Sequence, residues 1–121
     1  MGADRKSSRE KKSLVVLWSS ADREVALKMA FMYTRNAKRQ GGWEEVTFIV
    51  WGPSARLLSE DGELQEKVKE MKALGVLLEA CKACTDMYGV SEALEKIGVD
   101  VKYMGTPLTE YLKEDRAVLC L

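Results

Sequence analysis

Two cysteines three positions apart, Cys81 and Cys84, are the residues of this 121-residue chain best suited to chemistry. They lie in the run GVLLEACKACTDMYG, where an apolar segment gives way to a helical pattern. At such a junction the positive end of the helix dipole favours the thiolate, whereas burial against the strand raises the pKa of the thiol. We expect the helix terminus to dominate at the wetter loop edge, with Lys82 as a nearby cation. The pair therefore predicts thiolate chemistry.

The rest of the composition excludes several uses of cysteine. The chain contains three cysteines and no histidine, so one copy cannot supply the four ligands of a structural zinc site or a cysteine–histidine nucleophile pair. A cysteine phosphatase needs an arginine six positions after its cysteine, where this sequence has Met87 or Val90. The turn SSADRE after the first apolar run lacks a glycine-rich phosphate-binding pattern. We therefore expect no metal site and no cofactor.

Three uses of the cysteine pair stay open on the residues alone. Cys81 could carry a sulfane sulfur, or both thiols could form the reversible dithiol of a redox protein or sensor. Alternatively, the pair could be small core residues of a non-catalytic subunit that binds a partner. The third cysteine, Cys120, lies in the last apolar run and is interpreted as a core residue.

Length and charge indicate one globular domain without an electrostatic case for nucleic acid. The chain is 46% hydrophobic and 31% charged, and its formal net charge is zero,. Its apolar runs are far too short to cross a bilayer, so we expect no membrane association. The start, MGADRKSSREKK, has no apolar stretch of the signal-peptide kind and is interpreted as a disordered basic tail over residues 1–12. Residues 13–121 would then form a single domain. Three cysteines without a secretion signal predict reduced thiols and a cytoplasmic location.

Apolar runs and helical patterns alternate along this domain. Strands are predicted at residues 14–18, 45–51, 76–78, 99–103 and 117–121. Helices are predicted at residues 22–40, 54–59, 82–88 and 91–98, over a segment ending before Gly75, and after Pro107. Ser91 is predicted to cap its helix, and the alternation of residues 99–103 suggests a strand near a sheet edge. The order predicts an α/β fold with a mostly parallel five-stranded sheet and helices on both faces.

The carboxyl ends of these strands are where an open parallel sheet binds its ligands. Connectivity alone puts Cys81 and Cys84 at that edge, after the third strand. The candidate pocket residues around them follow the other strands or flank the cysteines: Ser19, Trp51, Gly52, Pro53, Ser54, Lys82, Met104 and Gly105.

The first predicted helix is apolar on more than one side. Val25, Met29 and Met32 form one stripe, and Leu27 and Phe31 lie on another face. A helix that rests on one side of a sheet needs only one stripe. We therefore expect a second copy of the chain to cover the other stripe.

Several stretches together resemble the DsrE/DsrF-like family of small sulfur-handling proteins. They are Trp51-Gly52-Pro53-Ser54 with Leu57-Leu58, the segment from Glu63 to Val76, Cys81-Lys82-Ala83-Cys84, Gly98-Val99 and the residues from Tyr103 to Leu108. The resemblance implies a Rossmann-like, three-layer α/β/α domain that assembles into homotrimers or homohexamers, or into mixed hexamers with sister subunits. It also implies that Cys81 carries sulfur as a persulfide between donor and acceptor proteins, the activity of a sulfurtransferase in a persulfide relay. Cys84, present in only some relatives, could be a resolving thiol or take no part.

Overall fold

The computed structural model describes residues 11–121, which build a five-stranded sheet with helices on both faces. The strands are β1 (Ser13–Trp18), β2 (Glu45–Val50), β3 (Leu77–Cys81), β4 (Asp100–Lys102) and β5 (Ala117–Cys120). Their order across the sheet is β4-β3-β2-β1-β5, and every neighbouring pair is parallel. The predicted α/β class, the five strands and the edge position of β4 are confirmed.

Six helices connect the strands of the described residues. The first, α1, spans residues 23–39 and contains the π-helical stretch Ala26–Ala30 between the α-helical stretches Arg23–Val25 and Phe31–Arg39. The others are α2 (Pro53–Glu60), α3 (Gly62–Ala73), α4 (Lys82–Tyr88), α5 (Ser91–Lys96) and α6 (Gly105–Lys113). None of these helices is long and apolar enough to span a membrane.

The two faces of the sheet are covered unequally. From β1 to β4 the chain steps across the sheet in one direction, so right-handed crossovers put the intervening helices on one face,. The chain then returns to the opposite edge, beside β1, and α6 lies on the other face. The result is the three-layer α/β/α arrangement, with α6 as the one helix that the described residues place in the third layer.

The larger core lies between the sheet and α1, α2, α3 and α5. Its centre is an aromatic cluster in which the rings of Trp18, Phe31 and Phe48 lie 5.0 to 5.7 Å apart. The predicted apolar face of α3 is buried there through Leu64, Val68 and Met71. The smaller core, on the α6 face, contains Cys81 and is described below.

Some local predictions were wrong. The N-cap of α5 is Val90, because the Ser91 hydroxyl instead donates to Asp86 and bonds Thr85. Cys120 is exposed, because it ends β5, a strand at the edge of the sheet. The third strand extends to Cys81 rather than ending at residue 78.

The predicted tail lies largely outside the described residues, which begin at Lys11. That lysine pairs with Asp115 at 2.9 Å, and the Lys12 carbonyl accepts a hydrogen bond from the Glu44 N–H. These two residues therefore contact the domain.

Candidate functional site

Cys81 ends β3 and occupies the N-cap position of α4. Its side chain is only 4% exposed and packs with Val15, Ile49 and Met104 in the smaller core. We call these four residues the thiol cluster. The partly buried side chains that pack against it are Leu17, Trp51, Cys84, Leu108, Tyr111 and Val118. The strand alternation puts Cys81 on the face that α6 covers, because residues of one strand point to opposite faces in turn.

Cys84 lies one helical turn further along, half-buried against the thiol cluster. Burial raises the pKa of its thiol, and the neighbouring Cys81 sulfur raises it further. Contacts with the Gly52 backbone N–H and the Trp51 indole oppose the increase, because such donors stabilise negative charge on sulfur,. Cys84 therefore packs beside Cys81, and both donors belong to the turn after β2.

That turn has a fixed shape. Gly52 has a φ of 78°, a conformation that residues with a side chain rarely adopt,. The Ser54 hydroxyl is buried and donates to the Trp18 carbonyl at 2.6 Å, which ties the turn to the end of β1. Ser54 thus braces the wall that Trp51 presents to the thiols.

The predicted pocket residues other than Ser54 and Lys82 divide into two groups. Trp51, Gly52 and Met104 meet the thiols directly or through the thiol cluster. Ser19, Pro53 and Gly105 are not brought into it. Ser19 bonds Leu121, exposed Pro53 begins α2, and exposed Gly105 begins α6.

Lys82, the predicted cation beside Cys81, has other partners. Its ammonium lies 2.6 Å from Asp86 and sits 5.6 Å from the Tyr103 ring centroid. The hydrogen bond to Asp86 raises the pKa of Lys82. The lysine thus stays charged at the rim of the site.

Three polar residues near Cys81 were missed from the sequence. Glu79, two residues earlier on β3, is buried on the same face and accepts hydrogen bonds from the Tyr111 hydroxyl at 2.8 and 3.0 Å. Lys102 lies 2.8 Å from Glu79, and their hydrogen bond raises the pKa of the lysine. We call Glu79, Lys102 and Tyr111 the polar triad. The sequence feature that could have revealed the triad is Glu79, the lone charged residue in VLLEAC, because a buried carboxylate needs polar partners,.

No group of three or more histidine, cysteine or acidic side chains within residues 11–121 could hold a metal ion. The pair of thiols alone also falls short of the ligand number that zinc or iron–sulfur sites use. What this arrangement offers chemically is two neighbouring thiols, with two N–H donors beside one of them.

The fold is that of a known group of small α/β proteins. The YchN protein from E. coli matches with a TM-score of 0.72 and 16% identity, covering 93% of this chain and 100% of the other. The protein of unknown function MTH1491 from Methanobacterium thermoautotrophicum matches with a TM-score of 0.72 and 19% identity over the same shares. At these identities the likeness shows the fold alone.

A third structure is more similar in sequence. BT1422, a conserved protein of unknown function from Bacteroides thetaiotaomicron, matches with 35% identity and a TM-score of 0.88, covering 91% of this chain and 95% of the other. The chain therefore belongs to the same family as BT1422. No protein-family model matches the chain, and no curated protein matches it in sequence.

Proposed function

We propose that this chain is a sulfur carrier of the DsrE/DsrF-like kind, with Cys81 holding the sulfur as a persulfide. The observation that carries the proposal is the packing of Cys84 on the cluster around Cys81 at the carboxyl end of the sheet. A thiolate needs no histidine to attack a sulfur–sulfur bond, and this chain has none,. The match to BT1422 supports the fold and family of the proposal, while the role in sulfur transfer is our own.

The first step loads the carrier. The Cys81 thiolate attacks the outer sulfur of a donor persulfide, a new sulfur–sulfur bond forms at Cys81, and the donor's own sulfur–sulfur bond breaks. The donor leaves as a thiolate, and the outer sulfur keeps its proton unless it ionises. The donor is a protein or a small molecule that carries a persulfide.

The second step unloads it. An acceptor thiolate attacks the outer sulfur, and Cys81 leaves as a thiolate, which restores the starting state. In a second route, the Cys84 thiolate attacks the inner sulfur and expels hydrosulfide, so that a Cys81–Cys84 disulfide forms. A dithiol reductant must then return the pair to its thiols. We place this relay in the cytoplasm, where thiols stay reduced.

Intact-mass spectrometry after incubation with a persulfide donor tests the proposal. Wild-type protein and Cys84→Ser are expected to gain the mass of one sulfur atom, and Cys81→Ser is expected to gain none. Cys120→Ser is the matched control, because that thiol is exposed and outside the site. Equal gains by Cys84→Ser and Cys81→Ser would reject the carrier, because Cys84→Ser cannot expel the sulfur by forming the disulfide.

The same packing favours a second function, that of a dithiol redox protein. Two neighbouring thiols in a Cys-x-x-Cys pair can form a reversible disulfide,. Measuring the reduction potential separates the functions: a value near the thioredoxin range supports redox work. If the pair forms no intramolecular disulfide, the redox function is rejected.

We further propose that the protein works as a homotrimer or homohexamer. Met29, Met32 and Tyr33 of α1 are exposed, and with Leu119 and Leu121 they line a groove of about 390 Å³ beside the edge strand β5. Phe31, by contrast, points into the core. The exposed stripe is thus the one that contains Met29 and Met32, and we propose that a second copy of the chain buries it.

Light scattering tests the assembly. The wild-type mass is expected at three or six times the 13.6 kDa of one chain. Replacing Met29 and Met32 together by lysine is expected to give single chains, because the charges oppose burial. Met87→Lys is the control, since Met87 is exposed on α4. A wild-type mass of one chain at micromolar concentration would remove the proposal.

A further inference from the structure

We infer that α6 is a lid over Cys81, and that the hydrogen bonds from Tyr111 to Glu79 are the latch that holds it closed. The inference deepens the proposed function and rests on it in one respect, namely that Cys81 is the thiol that reacts. It assigns to Tyr111 and Glu79 a positioning role: they set how often an outside sulfur can reach Cys81.

The need for a lid follows from burial. Cys81 is 4% exposed, yet thiol exchange requires the incoming sulfur to contact its sulfur atom directly. The fully buried Met104 lies in the thiol cluster, and Leu108 and Tyr111 pack on it. All three residues belong to the segment between β4 and β5. That segment therefore covers the thiol in the described conformation.

The other walls of the thiol cluster are less free to move. Val15 and Ile49 are central residues of paired strands. Trp51 leaves β2 in a turn that the Ser54 hydroxyl ties to β1. Opening at either wall would break the sheet or this bracing.

By contrast, α6 is weakly embedded. None of its residues is buried, whereas α3 on the opposite face buries Leu64, Val68 and Met71. Segments with few buried apolar contacts open at a low free-energy cost while the rest of the domain stays folded. Within residues 11–121 no other helix shares this face of the sheet, so α6 can lift without displacing a described helix.

Tyr111 supplies the polar attachment of this helix to the sheet. Its hydroxyl donates to Glu79 of β3, and within residues 11–121 no other α6 side chain is hydrogen-bonded to a strand residue. Lys102 holds the carboxylate of Glu79 in place, itself fixed by Asp100 at 3.0 Å. The Arg116 guanidinium lies 4.4 Å from the Tyr111 ring centroid. Loss of the hydroxyl alone would thus weaken the latch and keep the ring packing.

Alkylation of native protein by iodoacetamide, quenched at intervals and read by peptide mass spectrometry, measures lid opening. Trypsin places the three cysteines on separate peptides, residues 73–82, 83–96 and 117–121. Tyr111→Phe is expected to speed alkylation of Cys81 roughly tenfold, the effect of losing one hydrogen bond to a charged acceptor. The Cys120 rate is expected to stay unchanged.

Matched variants separate the latch from a general loosening. Tyr88→Phe makes the same chemical change on α4 and is expected to leave the Cys81 rate unaltered. Leu108→Ala is expected to raise that rate, and Leu112→Ala, an exposed position of the same helix, is expected to leave it alone. The lid is overturned if Tyr111→Phe and Leu108→Ala match their controls, or if all three cysteines accelerate together.

Iodoacetamide requires no sulfur transfer, so this result is independent of the carrier test. A protein that never gains sulfur but shows the expected alkylation pattern would keep the lid and lose the carrier. If Cys81 gains sulfur but Tyr111→Phe leaves the alkylation rate of Cys81 unchanged, the carrier is kept and the lid is lost.

Discussion

Cys81 and Lys102 are direct partners in the parallel pairing of β3 and β4, so their side chains leave the same face of the sheet. The Lys102 ammonium lies 2.8 Å from Glu79, two residues before Cys81 on β3. The thiol site and the polar triad are therefore parts of one surface. A substitution in the triad therefore alters the surroundings of Cys81.

Lys102→Met is expected to lower the free energy of unfolding by about 2 kcal/mol, because it leaves the buried Glu79 carboxylate without its cation,. Adding Glu79→Gln is expected to recover part of that loss, since the unpaired charge is then gone. Urea unfolding of the two single variants and the double variant measures the coupling. Lys113→Met, at an exposed position of α6, is the control. Purely additive effects would contradict the pairing.

Tyr111 predicts a change in stability at alkaline pH. Burial, followed by the hydrogen bond to Glu79, raises the pKa of Tyr111 to about 12. The folded protein therefore holds this proton more tightly than the unfolded chain, in which the pKa is about 10. The resulting stability is fully present below about pH 10 and is lost as the pH rises toward 12.

Urea unfolding at about pH 9 and about pH 11.5 is the measurement. Between these two pH values the free energy of unfolding of wild type is expected to fall by roughly 1–2 kcal/mol more than that of Tyr111→Phe. This value is reduced for the partial exposure of the tyrosine. Tyr88→Phe is expected to behave as wild type. An identical decline in wild type and Tyr111→Phe would show that the hydroxyl is not held by Glu79.

Cys84 should become more acidic when its neighbour is removed. Because the Cys81 sulfur raises the pKa of Cys84, Cys81→Ser is expected to shift the alkylation midpoint of Cys84 to lower pH. Some of the increase in pKa should persist, since burial is its largest cause and is unchanged. The rate of modification of the peptide 83–96 against pH gives the midpoint.

Ala83→Ser provides the comparison for that experiment. It introduces a hydroxyl at an exposed position between the two cysteines and leaves both thiols in place. Its midpoint should equal that of wild type. If Cys81→Ser leaves the midpoint unmoved or raises it, the two thiols do not interact as described.

The elements with strong local signals could be predicted from the sequence. The apolar run 14–18 and the spacing of Leu64, Val68 and Met71 fix a strand and a helix face before any tertiary contact is known,. Parallel connectivity then places Cys81 and Trp51 at the same edge, as the structure has them. The π-helical turn Ala26–Ala30 was missed, because its residues are ordinary helix formers,.

The features that depend on strand order could not be predicted. Right-handed crossovers restrict the hand of each connection and leave open that β5 returns beside β1,. Tyr111 and Glu79 are 32 positions apart, and nothing local to either residue predicts their contact. Likewise, exposure of Cys120 follows from the end of an edge strand and not from its apolar neighbours.

Locating the added sulfur in wild-type protein tests the central claim most directly. After incubation with a persulfide donor, alkylation and trypsin digestion under non-reducing conditions, the peptide of residues 73–82 is expected to carry one extra sulfur beneath the alkyl group. That peptide contains Cys81, and Cys84 falls on the peptide 83–96. Extra sulfur found only on the peptides of Cys84 or Cys120, or no extra sulfur together with no disulfide between the peptides 73–82 and 83–96, would contradict a carrier based on Cys81.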